Sequence, residues 1–139
     1  MNAPYVQRLE AMAARLTTGE LGACRVSEPL AAHTTWKVGG PADLWVEPSS
    51  KENLLEMLRL LDESDIPWVI LGKGSNTLAD DAGFRGAVVN LERGLKTLEL
   101  QRNGGPEGVH ILTAGGGAPI AGLLRFALKE ELAGIHMLT

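Results

Sequence analysis

Apolar positions along this chain recur at two spacings, and the changes between them lay out the elements. Val6, Leu9, Met12, Ala13 and Leu16 fall at helical intervals, which predicts a short amphipathic helix from Val6 to Leu16. Leu21 to Ala32 has no clear period and contains Pro29, so a connecting arm is expected there. Ala42 to Glu47 reads as a strand ended by Pro48, and a helix follows from about Lys51 to Glu63. Ser49 and Glu52 stand at capping-box spacing, and Leu54, Leu55, Met57, Leu58 and Leu61 form the expected buried stripe. Trp68 to Leu71 is short and continuously apolar, as in a strand buried on both faces of a parallel βαβ arrangement. Ala87 to Leu91, Leu95 to Leu100 and Val109 to Ala114 read as further strands, the last two joined by a hairpin-type turn at Gly104-Gly105-Pro106. A final helix starts near Pro119, with Ile120, Leu123, Leu124, Ala127 and Leu128 on one stripe. The pattern predicts an α/β chain: parallel βαβ elements early, a more antiparallel group later. Residues 1–32 are expected to form a helix and arm, and residues 33–139 a single domain.

Composition narrows the function classes. A chain of 139 residues with 45% hydrophobic and 22% charged residues has room for one soluble globular domain. The net charge of -4 leaves no basic stripe for nucleic acid. Apolar runs are too short to span a bilayer, and Met1 to Glu10 has no signal-peptide core. Cys24 is the sole cysteine, so no internal disulfide forms, and a cytoplasmic location is expected.

The candidate chemistry lies in the glycines. The strand at Trp68–Leu71 runs straight into Gly72-Lys73-Gly74-Ser75-Asn76-Thr77. Glycine lets a backbone turn sharply and approach a ligand closely. Successive amides in such a turn bind an anion, with Ser75, Asn76 and Thr77 as side-chain donors and Lys73 as a charge at the rim. A pyrophosphate matches this set. The spacing fits neither a P-loop nor a dinucleotide-binding fingerprint: Lys73 sits between the glycines, and Thr77 takes the place of a third glycine. A tight strand-to-strand turn is the competing reading. Gly115-Gly116-Gly117 precedes the last helix, whose N-terminus favours negative charge, although close strand–helix packing explains those glycines equally well. Gly39-Gly40-Pro41 reads as a turn.

Other reactive residues carry less. His33, His110 and His136 have no metal-ligand spacing, and no metal is expected. Cys24 reads as a small buried residue and His110 as an exposed strand position. Asp80-Asp81 reads as a solvated turn.

Taken in order, these segments resemble the UDP-N-acetylmuramate dehydrogenase family, the UDP-N-acetylenolpyruvoylglucosamine reductases. His33-Thr34-Thr35-Trp36-Lys37-Val38-Gly39-Gly40-Pro41-Ala42-Asp43 is similar to the family's opening motif. Leu71-Gly72-Lys73-Gly74-Ser75-Asn76, followed by Gly83-Phe84-Arg85-Gly86, resembles its flavin loop and sequel. Ala114-Gly115-Gly116-Gly117-Ala118-Pro119 and Gly134-Ile135-His136-Met137-Leu138 continue the likeness, which covers about Glu28 to Thr139. The resemblance implies an α/β (α+β) FAD-binding domain of the vanillyl-alcohol-oxidase or p-cresol-methylhydroxylase type. It implies FAD, with its pyrophosphate held by Gly72, Lys73, Gly74, Ser75, Asn76 and Thr77 and by Gly115, Gly116 and Gly117. It implies that NADPH reduces FAD and that hydride passes to a UDP-sugar substrate, UDP-N-acetylglucosamine enolpyruvate, giving UDP-N-acetylmuramate for the cell wall.

The likeness has two departures. Lys37 stands where the family pattern usually has Arg, keeping the charge but losing the planar fork. In the family a Gly-Ile-Pro-Gly segment comes next, completes the flavin domain and leads to a substrate domain. The family's proton-donating Ser or Cys, its catalytic Glu and its substrate-contacting Arg lie there, so no catalytic residue carries over. The expectation is a flavin domain incomplete at its C-terminal end and inactive alone. The alternative is a short, non-catalytic FAD- or nucleotide-binding module. Oligomeric state is not legible.

Overall fold

A computed structural model describes residues 3–18, 20–106 and 108–135. The elements in chain order are α1 (Ala3–Thr18), β1 (Gly22–Pro29), a 3-10 turn (Leu30–Ala32), β2 (Pro41–Pro48), α2 (Lys51–Glu63), β3 (Trp68–Leu71), β4 (Phe84–Asn90), β5 (Leu98–Gln101), β6 (Ile111–Ala114) and α3 (Ile120–Lys129). A four-stranded sheet has the order β1-β2-β4-β3, and β5 pairs with β6 in a separate two-stranded sheet. β2 and β3 both run parallel to β4, while β1–β2 and β5–β6 are antiparallel. The expected parallel elements and later antiparallel pair are observed, but the earliest pair, β1–β2, is antiparallel as well.

Strand alternation divides the core between the two faces of the main sheet. Leu44 and Val46 of β2, with Ala87 and Val89 of β4, point to the face covered by Leu9, Met12 and Leu16 of α1 and Met57, Leu60 and Leu61 of α2. Trp45 and Val88 point to the opposite face, with Leu30, Ala42, Leu71, Ala79 and Phe84. Between Ala42 and Leu44 the β2–β4 register shifts, with Asp43 at the irregularity. The buried Asp43 carboxylate accepts hydrogen bonds from the Tyr5 hydroxyl at 2.8 Å and pairs with Arg85 at 3.0 Å, so α1 is tied to β2 and β4 by polar as well as apolar contacts.

Several expectations are corrected. Leu21 to Ala32 is not merely an arm, because Gly22–Pro29 forms β1 and pairs along β2 from Gly22↔Pro48 to Pro29↔Pro41. Its half-exposed edge position explains the missing period. β3 is not buried on both faces: it is an edge strand, and Val69 and Ile70 are exposed. The N-cap of α2 is Ser50, whose side chain accepts from the Asn53 amide at 3.1 Å. Ser49 instead donates to the Leu21 carbonyl and takes a bond from the Asn53 side chain. On α2 the buried face is Met57, Leu60 and Leu61, while Leu55 is exposed. On α3 only Ala127 is buried among the described residues, and Ile120 and Leu128 of the expected stripe are exposed. Pro119 is the N-cap of α3. His110 is half-buried, and its Nδ1 accepts from the Asn103 amide across the hairpin. Cys24 is half-buried at the margin of the main core, and burial raises its thiol pKa. His136 and the remainder of the last family-like segment lie outside the described residues.

Candidate functional site

β3 and β4 are parallel neighbours, so the chain leaving the C-terminal end of β3 must travel back along the sheet before β4 begins. No helix does this; residues 72–83 do. The first stretch of this crossover is the glycine loop. Its later part lies on the Trp45 face of the sheet, where Ala79 packs with the second apolar cluster. The crossover is pinned at its far end, where Asp80 accepts from the Gly40 and Gly83 amides. The Asp80 side chain takes the Ala82 amide, so this residue is occupied by its own turn, as its sequence setting suggested.

At the near end two devices fix the loop. Gly74 has φ +64°, a left-handed conformation, and a Cβ there would collide with the His33 carbonyl oxygen. The Gly74 carbonyl accepts the Thr35 amide at 3.2 Å. Gly74 is thus required for the loop to pack on the His33–Thr34 backbone. The second device is Asn90, which is 2% exposed at the end of β4. Its side-chain amide donates to the carbonyls of Leu71 at 3.2 Å and Gly72 at 2.9 Å, and its oxygen accepts the Glu92 amide at 3.1 Å. Sequence reasoning missed Asn90, although a lone amide side chain closing an apolar run was the available signal.

The segment at Gly115–Gly117 reaches the same place by its own packing. Gly115 and Gly117 donate to the Thr97 and Leu95 carbonyls, both at 2.8 Å, and a Cβ at Gly117 would collide with the Leu91 carbonyl. Close packing explains those two glycines.

The outcome is an open cleft of about 280 Å³ lined by Gly72, Lys73 and Ser75 from one segment and Gly116, Gly117 and Ala118 from the other. Pro119, Ile120 and Ala121 at the start of α3 line it too, as does Glu92. The two glycine segments, over forty residues apart, therefore share one surface. Among the described residues, the backbone amides of Lys73, Gly74, Ser75, Asn76 and Thr77 have no intramolecular acceptor, and neither have those of Gly116, Ile120 and Ala121. Amides left over by a crossover loop and by a helix start are donors suited to an anion. At Gly72 a Cβ would meet nothing within 4 Å, so the backbone there is open to an approaching group.

Not every expected residue joins the cleft. Gly74 is buried beneath it, Gly115 is turned to the β5 side, and Asn76 is exposed beyond its lining. Thr77 lines a different, mainly apolar groove with Leu78 and Asp80. Lys37, the position of the Arg-to-Lys departure, is exposed and has φ +56°. A further polar cluster was not foreseen. The His33 ring stacks on Trp45 with centroids 3.7 Å apart, and its Nε2 lies 2.7 Å from Glu28. Arg25 bridges Glu28 and Glu47. Among the described residues, no group of three or more His, Cys, Asp or Glu side chains is arranged to hold a metal ion, and no helix is long and apolar enough to cross a membrane.

A mixed α/β fold with a glycine-lined cleft at a strand–helix junction is the frame in which the family comparison falls. Residues 42–139 match the family described as FAD binding domain, and the chain belongs to that family, whose cofactor is FAD. Among individual proteins, it is similar to the UDP-N-acetylenolpyruvoylglucosamine reductase of Heliobacterium modesticaldum, 42% identical over 109 residues, which are 78% of this chain and 32% of the relative. The proteins of the same name from Halalkalibacterium halodurans and Bacillus subtilis are each 39% identical over 128 residues, 92% of this chain and 40% of each relative. The chain spans about a third to two fifths of the length of these relatives.

Proposed function

We propose that this chain is the flavin-binding part of a UDP-N-acetylenolpyruvoylglucosamine reductase, working in the cytoplasm in peptidoglycan synthesis. In this reading FAD is reduced by NADPH and supplies hydride to the enolpyruvyl group of the UDP-sugar. The chain's own residues bind and orient the cofactor. Residues 33–139 act as the FAD-binding domain, with residues 1–32 built onto the same sheet. The pyrophosphate lies against Gly72, Lys73 and Ser75 on one side and Gly116 and Gly117 on the other. Gly74, Asn76, Thr77 and Gly115 complete those two segments, Gly74 and Gly115 by fixing backbone shape. The observation that carries this is the convergence of the two glycine segments on one cleft, where the amides of Lys73, Ser75 and Gly116 have no intramolecular acceptor. The shared name of the relatives supports the substrate.

The reading assigns no catalytic residue within the chain, so the chain alone is expected to have no turnover. The missing component is a proton donor held opposite the flavin; such positioned groups contribute roughly 10²–10⁴-fold to rate. An anaerobic assay with FAD, NADPH and the enolpyruvyl substrate tests this, and UDP-N-acetylmuramate above a no-protein control would refute it. The cofactor site is tested by FAD titration. Gly72→Val places bulk where the backbone is open and should leave the fold intact while weakening FAD by tenfold or more, about 1.4 kcal/mol. Ser75→Ala should cost roughly 1–3 kcal/mol if its hydroxyl serves a charged oxygen. Unchanged FAD affinity in a folded Gly72→Val protein would move the site elsewhere.

A further inference from the structure

One feature of the cleft does not suit a bare anion. Glu92 lines it beside Lys73, Ser75 and the α3 N-terminus. A carboxylate facing an approaching phosphate opposes it, since like charges within a few ångström disfavour one another. The backbone that carries this residue is nonetheless held in place. The Asn90 side chain grips Gly72 and Leu71 with its amide group and the Glu92 backbone with its oxygen, so one buried residue sets the separation between Glu92 and the glycine loop. Among the described residues neither Glu92 nor Lys73 makes an ion pair within 4 Å, so the two charges on the cleft are not spent on each other or on neighbours. Glu92 also lines a second, polar cleft of about 180 Å³ with His33, Trp45, Asn90, Arg93 and Lys96. It therefore stands where the phosphate cleft opens into further polar space.

An ionised carboxylate only accepts hydrogen bonds. Its complement is a donor attached to the phosphates. Resting on the phosphate reading of the cleft, we infer that Glu92 is a specificity residue that accepts from a sugar hydroxyl next to the phosphate group, so that the cleft prefers sugar phosphates to free phosphate or pyrophosphate. The hydroxyl belongs either to the ribose of a nucleoside diphosphate or to the ribityl chain of a flavin phosphate; the chemistry is the same.

The test uses the whole 139-residue chain and Glu92→Gln, which keeps side-chain shape and leaves the Asn90 bond to the backbone. Affinities are read from amide shifts in NMR titrations, in two pairs: ADP against inorganic pyrophosphate, and FMN against inorganic phosphate. In the wild-type chain the sugar-bearing member of at least one pair binds tighter. Glu92→Gln lowers that preference by about tenfold, the size expected for losing a hydrogen bond to a charged group, while the free anions bind as well or better. A fall in the ADP pair identifies ribose, and a fall in the FMN pair identifies ribityl. A preference unchanged in both pairs overturns the inference and leaves the phosphate reading intact. If no probe binds the wild-type chain at millimolar concentration, or if Gly72→Val alters none of the four affinities, the phosphate reading itself fails and this inference with it.

Discussion

The main sheet and the last third of the chain use apolar residues in opposite ways. Around β2 and β4, Leu44, Val46, Ala87 and Val89 are completely or nearly completely buried between α1 and α2. In the last third, β5 and β6 pack chiefly on each other, and α3 makes no extensive contact with any other element. Ile120 and Leu128 of α3 are 57% and 78% exposed. Both regions have strong amphipathic patterns, so pattern alone does not distinguish a helix that has its partner from one that does not. The C-terminal region is held together by polar contacts, the Gly115 and Gly117 amides on the 95–97 backbone and Arg102 on Glu130 at 2.9 Å, and it meets the main core through Leu95. The candidate cofactor cleft lies on the seam between the regions and is lined by residues of both.

The sharpest way to break this comparison is to remove equal side chains from each side of it. Leu61→Ala empties a fully buried site between α2 and the sheet and is expected to cost about 2–5 kcal/mol in urea unfolding. Leu128→Ala, the same change on α3, should stay within roughly 0.5 kcal/mol. Comparable losses at the two sites would show that α3 is packed in solution.

A smaller effect is expected on the seam itself. Gly74→Ala imposes a side chain on a left-handed backbone that abuts His33, at a cost of about 1–3 kcal/mol. Gly72→Ala, two residues away in open space, should be nearly neutral in a thermal melt. Equal destabilisation by both would mean that the loop does not pack on His33 as described.

The α1 tether gives a pH-dependent effect. Burial first, and then the bond to Asp43, push the Tyr5 phenol from 10.0 up to about 12. The neutral phenol is the form the fold favours. Its contribution is therefore fully present below about pH 10 and is lost as pH rises from 10 towards 12. Tyr5→Phe should destabilise the chain by about 1–2 kcal/mol at neutral pH and remove that part of the alkaline decline. An identical slope in the variant between pH 10 and 12 would assign the decline to other groups.

The least effect belongs to Arg59, which pairs with Glu56 and Glu63 on the solvent side of α2. Arg59→Ala should shift the chemical-unfolding midpoint only slightly, and less still at high salt. A salt-insensitive loss would point to packing by its aliphatic stem.

Much of the fold was legible because it follows from local periodicity. The span of α2, the strand cores of β2 and β4 and the antiparallel hairpin all agree with spacing and punctuation in the sequence. The glycine segments were legible as candidate anion loops because uncommitted amides come from short-range turns. β1 was missed because a half-exposed edge strand with mixed side chains carries no clean alternation. Leu55 and the α3 stripe were misassigned because helical spacing says which residues share a face, not whether anything covers it.

What the sequence determined by itself is therefore the inventory: the helices, most strands, two glycine-rich candidates for binding phosphate, and their order along the chain. The tertiary structure alone decided that β4 lies between β2 and β3, which obliges residues 72–83 to return along the sheet and brings Gly72, Lys73 and Ser75 against Gly116 and Gly117. It also decided that Gly74 serves packing, whereas Gly72 faces open space. Asn90 became the clip between the loop and Glu92 for the same reason: hydrogen bonds between residues eighteen apart depend on which strands are neighbours, and strand order is set by burial of the whole sheet, not by any local stretch.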